Sequence, residues 1–281
     1  MPLHSRNFSL TLLAALGLAL TALAQPLEGR KFVSTQPRER VEYWQHRLTE
    51  ITGQLQERSA LPSVRLLFLG DSITDFWTMA ENPWFPGQIM GRAVWNESFA
   101  GSVPQNRGLN LGISGDRTEH VLQRIRPRTD GGLGELDVPE LNPEYVILMI
   151  GVNNTWDAEK PVVESVVAGV HAVVVAVHAR KPGARVILQS LLPLPDDAKN
   201  RAVIQPVNQR LRDLAGSAPF SGFVSYLDLY PSFVDAAGRQ AAARFADGVH
   251  PNESGYRVWR DLLVPTLDRL RAAHVNASAG K

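Results

Sequence analysis

The sequence predicts an α/β fold: a doubly wound, three-layer α/β/α sandwich around a five-stranded parallel sheet. Three observations lead there. Five short segments are apolar at nearly every position instead of alternating, as strands buried on both faces are. Segments with apolar residues at steps of three and four lie between them, as crossover helices would. Several strands stop at a small or polar residue, such as Gly70 or Gly151, where ligands bind in open parallel sheets.

The elements follow in order. Residues 38–58 carry Val41, Trp44, Leu48, Ile51 and Leu55 at helical steps, so an amphipathic helix forms with Trp44 on its core face. Residues 64–69 are the first strand and 108–111 a short second one. Residues 116–125 read as a helix with Thr118, Val121, Leu122 and Ile125 on one face. The Gly- and Asp-rich stretch 126–137 reads as a surface loop beside the sheet's carboxyl rim. Residues 145–150 form the third strand. Residues 161–179 form a helix whose many valines are poor helix formers, so packing must hold it. A strand at 185–192, a helix at 201–214, a strand at 223–227 and a helix at 252–273 complete the chain.

The chain has 281 residues, enough for one sizeable domain and short for two. Hydrophobic content of 44% and charged content of 20% are ordinary for a globular protein. A formal charge of +1 makes no electrostatic case for nucleic acid or an acidic membrane surface. Residues 1–24 carry Arg6, an apolar run and a small-residue site before Gln25, the layout of a secretory signal peptide. Removing them leaves 28 basic and 28 acidic residues. The expected organisation is a signal peptide at 1–24, a leader and amphipathic helix at 25–59, and the main domain at 60–275. Without cysteine the chain has neither disulfides nor a lipidated cysteine, so no stable membrane anchor is expected after cleavage. The expected location is the periplasm or the medium.

Four segments carry chemistry. Gly70-Asp71-Ser72 ends the first strand and supplies a hydroxyl at a strand-to-turn junction. A serine needs a base to become nucleophilic at neutral pH. Of seven histidines, His250 alone lies in a predicted loop of the main domain, three residues after Asp247. That spacing lets Asp247 hold one imidazole nitrogen while the other faces Ser72. Gly115, in Ile113-Ser114-Gly115-Asp116, and Asn153, in Gly151-Val152-Asn153-Asn154, follow other strand ends. With the backbone N–H of Ser72, the N–H of Gly115 and the amide of Asn153 would receive an oxyanion. Trp77, Trp84 and Trp156 follow these blocks; Trp77, Asn154 and Trp156 are the candidate substrate-binding residues. No Gly-x-Ser-x-Gly elbow, zinc-ligand spacing or phosphate loop occurs, so neither a metal nor a cofactor is expected.

As a set, these blocks resemble the SGNH, or GDSL, hydrolases over about residues 60–270. The strings Phe68-Leu69-Gly70-Asp71-Ser72-Ile73-Thr74, Asn110 through Thr118 and Leu148 through Asn154 are similar to the branch containing the catalytic subunits of platelet-activating factor acetylhydrolase and bacterial secreted esterases. The resemblance implies a flavodoxin-like sandwich, no metal, and hydrolysis of esters with small acyl groups. It implies Ser72 as nucleophile, Asp247 and His250 as acid and base, and Ser72, Gly115 and Asn153 as the oxyanion hole. Many members have Asp where Asn154 stands here. The resulting expectation is a secreted serine esterase for short-chain acyl esters, O-acetyl carbohydrate foremost, whose partner is a small-molecule or glycan ester. The alternatives are an acyltransferase or phospholipid-directed esterase on the same residues, or a non-catalytic glycan-binding module. Oligomeric state is left open.

Overall fold

The computed structural model describes residues 31–41, 43–82, 84, 86–156 and 159–279. The expected signal peptide, 1–24, lies outside the described residues, as does the first part of the leader.

Five strands form one sheet: β1 (Leu66–Gly70), β2 (Gly108–Asn110), β3 (Tyr145–Met149), β4 (Arg185–Gln189) and β5 (Val224–Leu227). Their order is β2-β1-β3-β4-β5 and every pairing is parallel. In β1 and β3 every residue is buried, which is why their sequences run apolar without alternation. Because all strands point the same way, their carboxyl ends share one rim, and the loops after β1, β2 and β3 converge there.

The larger helices are α1 (Tyr43–Gln56), α2 (Ser72–Asp75), α3 (Arg92–Ser98), α4 (Thr118–Ile125), α5 (Val162–Arg180), α6 (Gln205–Gly216) and α7 (Glu253–Ala279). Helices α4, α5 and α6 pack against one another in one layer, and α3 packs on α7 in the other. The valines of α5 hold as a helix because Val166, Val170, Val173, Val174 and Val177 are buried in the core. Trp44 and Ile51 of α1 are buried as well.

Helix α1 starts later than its hydrophobic period suggests. Residues 38–41 stay outside the helix because Arg38 N donates to Glu119 O (3.0 Å) and Arg40 reaches Ser114 O. Residues from Phe32 onward belong to the same compact unit as the sandwich, so this part of the expected leader is built into the fold. Residues 126–137 do not border the carboxyl rim. Asp137 pairs with Arg180, and Lys181 Nζ donates to Val138 O (2.9 Å), at the C-terminal end of α5 where the chain turns toward the amino end of β4. The eight residues of α4 carry the chain from one end of the sheet to the other, which places this loop away from Ser72.

Arg124, fully buried on α4, joins three segments. Its guanidinium donates to Asp116 Oδ2 (2.6 Å), to both oxygens of Glu135 (2.9 and 3.0 Å) and to the carbonyl of Leu111. The two carboxylates hold its proton more tightly than usual, against the cost of burial. Replacing Arg124 with Ala strands two buried acids, so unfolding in urea should show a loss of about 3–5 kcal/mol. A loss below about 1 kcal/mol would mean the cluster is not structural.

Candidate active site

The region around Ser72 is shaped by a short helix. Gly70 ends β1, and Asp71 caps α2 by accepting from Ile73 N (3.0 Å). Ser72 is the first residue of α2, so its side chain stands at the rim. Burial of Asp71, whose Oδ2 finds no hydrogen-bond partner among the described residues, pushes its carboxyl up to about 7. Tyr256 of α7 braces α2 by donating to Ile73 O (2.8 Å).

The histidine that meets Ser72 arrives from the other end of the chain. Residues 246–251 fold as a tight loop in which Asp247 Oδ1 accepts from Val249 N (3.0 Å) and His250 N (2.9 Å). Asp247 Oδ2 lies 2.7 Å from His250 Nδ1, and His250 Nε2 lies 2.8 Å from Ser72 Oγ. A carboxylate only accepts, so Nδ1 carries the hydrogen and Nε2 is left to accept from Ser72. Partial burial pushes the Asp247 carboxyl up, but the bonds from the His250 ring and backbone outweigh this and bring it down to about 2. The carboxylate is thus ionised at neutral pH beside the imidazole. The ring of Phe76, 4.6 Å from that of His250, packs against the imidazole.

Two more loops reach the same place. Gly115 has φ +80°, and a Cβ there would lie 2.7 Å from the Arg40 guanidinium. Gly112 is constrained by distance instead: its Cβ would lie 2.3 Å from Asp75 N, so only glycine lets this loop close on α2. Asp75 Oδ2 accepts from Ser114 N (3.0 Å) and Ser114 Oγ (2.9 Å), fixing the Gly115 loop relative to Ser72. Asn110 Nδ2 donates to Thr74 O (2.8 Å), and Asn110 Oδ1 accepts from Gly112 N (2.8 Å). Asn153 Nδ2 donates to Asp116 O (2.8 Å), which orients the amide and engages one of its two N–H donors.

Ser72, Gly115, Asn153 and His250 therefore line one open cleft of about 300 Å³, together with Phe76, Trp84, Ser114, Trp156 and Val249. A larger hollow of about 700 Å³ lies between α1 and residues 128–138. It holds no serine or histidine, and its acids Glu135 and Asp137 are committed to Arg124 and Arg180, so the smaller cleft is the candidate site.

Three residues expected at the substrate are sorted by the fold. Trp156 lines the cleft, 55% exposed, with Lys199 Nζ 3.2 Å from the centre of its ring. Trp77 does not reach the cleft. It is fully buried in an aromatic core between α2 and α7, with ring centroids 4.6 Å from Tyr256, 5.0 Å from Trp259 and 5.4 Å from Phe99. Asn154 is also turned inward: its Oδ1 accepts from Thr118 N (3.0 Å) and its Nδ2 donates to Glu119 Oε2 (2.8 Å), pinning the start of α4. Trp84, half exposed, stacks on Phe76 (5.7 Å between centroids) at the side of the cleft nearest His250. Asp75, Asn110 and Arg40 are the site residues that motif reading missed. Asn110 opens a string that motif reading had marked, and Asp75 stands one turn after Ser72, whereas Arg40 has no local signal.

A three-layer α/β/α sandwich with a hydrogen-bonded serine, histidine and aspartate at its carboxyl rim is the layout of an ester-hydrolysing enzyme. The comparisons make the assignment specific: the GDSL-like lipase/acylhydrolase family model matches residues 68–258, and the chain belongs to that family. It is similar to platelet-activating factor acetylhydrolase IB subunit alpha1 of Homo sapiens, 31% identical over 196 residues, covering 68% of this chain and 70% of that protein. A GDSL-like lipase from Bacteroides thetaiotaomicron shares the fold, with a TM-score of 0.57 at 20% identity over 78% of this chain and 98% of that one. So does an acetylxylan esterase from Geobacillus stearothermophilus, with a TM-score of 0.51 at 19% identity over 72% and 93%.

The two tryptophans should separate in experiment. Trp77→Ala empties part of a packed core and should cost about 3–5 kcal/mol in unfolding free energy. Trp156→Ala should leave stability within about 0.5 kcal/mol and raise KM for an ester substrate. Unfolding curves paired with initial-rate kinetics check both, and the reverse pattern would contradict the placement.

Proposed function

We propose that the protein is an exported serine esterase that removes short acyl groups, acetyl foremost, from carbohydrate esters. The observation that carries the reading is the chain Ser72 Oγ–His250 Nε2 (2.8 Å) and His250 Nδ1–Asp247 Oδ2 (2.7 Å), opening on the cleft that Gly115 and Asn153 also line. Ser72 Oγ attacks the ester carbon while His250 Nε2 takes the hydroxyl proton. Asp247 stabilises the imidazolium that results. The carbonyl oxygen becomes an oxyanion, received by Ser72 N–H, Gly115 N–H and the free N–H of the Asn153 amide. As the tetrahedral intermediate collapses, the C–O bond to the alcohol breaks and His250 returns its proton to the leaving oxygen. A water, deprotonated by the same nitrogen, then releases the acid from Ser72.

Support for a small acyl group comes from the size of the cleft, at the lower end for small-molecule sites. Support for a sugar comes from two half-exposed tryptophans, Trp84 and Trp156, whose faces suit the apolar side of a pyranose ring. The acetylxylan esterase with the same fold is in keeping with this, and the name of the human relative is in keeping with an acetyl group. That name also favours a second reading, an acetyl ester on a phospholipid. Export is supported by residues 1–24 of the sequence alone.

Hydrolysis of p-nitrophenyl acetate, butyrate and octanoate tests the reaction, and acetylated xylan set against an acetylated ether phospholipid tests the alcohol. Ser72→Ala should abolish turnover, and Asp247→Asn should lower kcat on the order of 10⁴-fold by disturbing the imidazole tautomer. Acetate should exceed octanoate in kcat/KM. Full activity in Ser72→Ala would overturn the mechanism, and preference for the phospholipid would move the substrate to the second reading.

A further inference from the structure

Arg40 stands apart from the motifs, yet it touches the loop that carries Gly115. It belongs to a strap, residues 32–41, that opens with one 3-10 turn at Val33–Thr35 and runs along the sandwich before α1 begins. The strap is anchored along its length. Ser34 Oγ donates to Ser165 O (2.7 Å), Thr118 Oγ1 donates to Ser34 O (2.8 Å), and Arg38 N donates to Glu119 O (3.0 Å). These bonds tie it to the starts of α4 and α5, next to the loops that bear Gly115 and Asn153. At its end, Arg40 Nη1 donates to Ser114 O (2.9 Å) and lies 3.4 Å from Asp116 Oδ1. Its guanidinium covers the face of Gly115 where any other residue would place a Cβ.

The two residues flanking Gly115 are therefore held by one side chain. Asp116 is further fixed by Arg124 at its carboxylate and by Asn153 at its carbonyl. Ser114 is further fixed at its N–H and hydroxyl by Asp75. Arg40 is the only one of these partners, among the described residues, that binds both sides of Gly115 and comes from outside the sheet and its rim loops. Its side chain is 27% exposed, so it closes the loop from the solvent side.

We infer that Arg40 is a positioning residue for the oxyanion hole: it sets the direction of the Gly115 N–H through Ser114 and Asp116, and makes the strap a working part of the active site. This rests on the proposed serine mechanism. A donor aimed at the oxyanion matters when charge develops and little when the neutral ester binds. Loss of Arg40 should therefore lower kcat and leave KM almost unchanged. Both acceptors are reached by one nitrogen, Nη1, while Nη2 covers the face of Gly115. A lysine ammonium can bond the acceptors but lacks the plane that covers the glycine, so Arg40→Lys should restore part of the rate.

The test is p-nitrophenyl acetate kinetics on the purified full chain and on Arg40→Ala, Arg40→Lys and Ser72→Ala. Circular dichroism melting establishes that each variant is folded at the assay temperature. Arg40→Ala should lose about 10- to 100-fold in kcat with KM within about two-fold. Added guanidinium chloride, at low non-denaturing concentration, should recover part of that loss in Arg40→Ala, and sodium chloride at equal ionic strength should not. If Arg40→Ala does not fold, Arg40→Met, which keeps the apolar stem and removes every donor, takes its place, with the same loss in kcat expected. A kcat within two-fold of the parent in the folded variant, or a loss seen only in KM, would overturn the inference while Ser72→Ala remains inactive. Parent-level activity in Ser72→Ala would instead overturn the mechanism on which it rests.

Discussion

Buried arginines that accept the cost of desolvation hold this site together. Where β2 ends, the chain leaves the sheet without returning to regular structure, and its carbonyls need donors. Arg47 Nη2 donates to Asn110 O (3.1 Å) and Arg47 Nε to Gly112 O (3.1 Å), while Arg124 serves Leu111 O. Both guanidiniums are almost fully buried, so each needs carboxylates. Asp75 lies 3.0 Å from Arg47 Nε, and Asp116 and Glu135 hold Arg124. Removing one partner would leave a bare charge in the core, which makes the arrangement stiff as a unit.

The same pairs join the segments that line the cleft. Asp75 is the last residue of the helix that begins with Ser72, and it receives both the N–H and the hydroxyl of Ser114. Ser72 and the Gly115 loop are thus linked through one carboxylate. The Asn153 amide is fixed by the carbonyl of Asp116, whose side chain sits on Arg124. Only the histidine loop comes from elsewhere, and it is braced by Asp247 taking both backbone and ring donors. Trp84 and Trp156, by contrast, stand half exposed at the mouth of the cleft, outside this network of buried charges.

The strands were legible in the sequence because burial on both faces removes alternation, and 145–149 reads apolar throughout. Ser72, Gly115 and Asn153 were legible in the cleft because each follows a strand end and the strands are parallel, and His250 because it lies in a loop three residues after Asp247. What lay beyond reading was the direction in which each side chain turns. Trp77 and Trp156 both follow a marked block, but Trp77 sits on a helical turn that faces α7, and Trp156 on one that faces solvent. Asn153 and Asn154 are adjacent, yet Asn153 lines the cleft and Asn154 is buried against the start of α4. The loop at 126–137 was placed at the wrong end of the sheet because composition does not reveal how far an eight-residue helix carries the chain. Arg40 acts 74 residues away from Ser114, at a distance no local pattern reports.

The central claim is that Ser72 is the atom that takes the acyl group. A fluorophosphonate mimics the tetrahedral intermediate and bonds to an activated serine, so intact-mass and peptide-mass measurement after treatment reads the claim directly. The account predicts one adduct per chain, on the peptide containing Ser72, and none when His250 is replaced by Ala. An adduct on another residue, or none on protein shown to be folded, would contradict it.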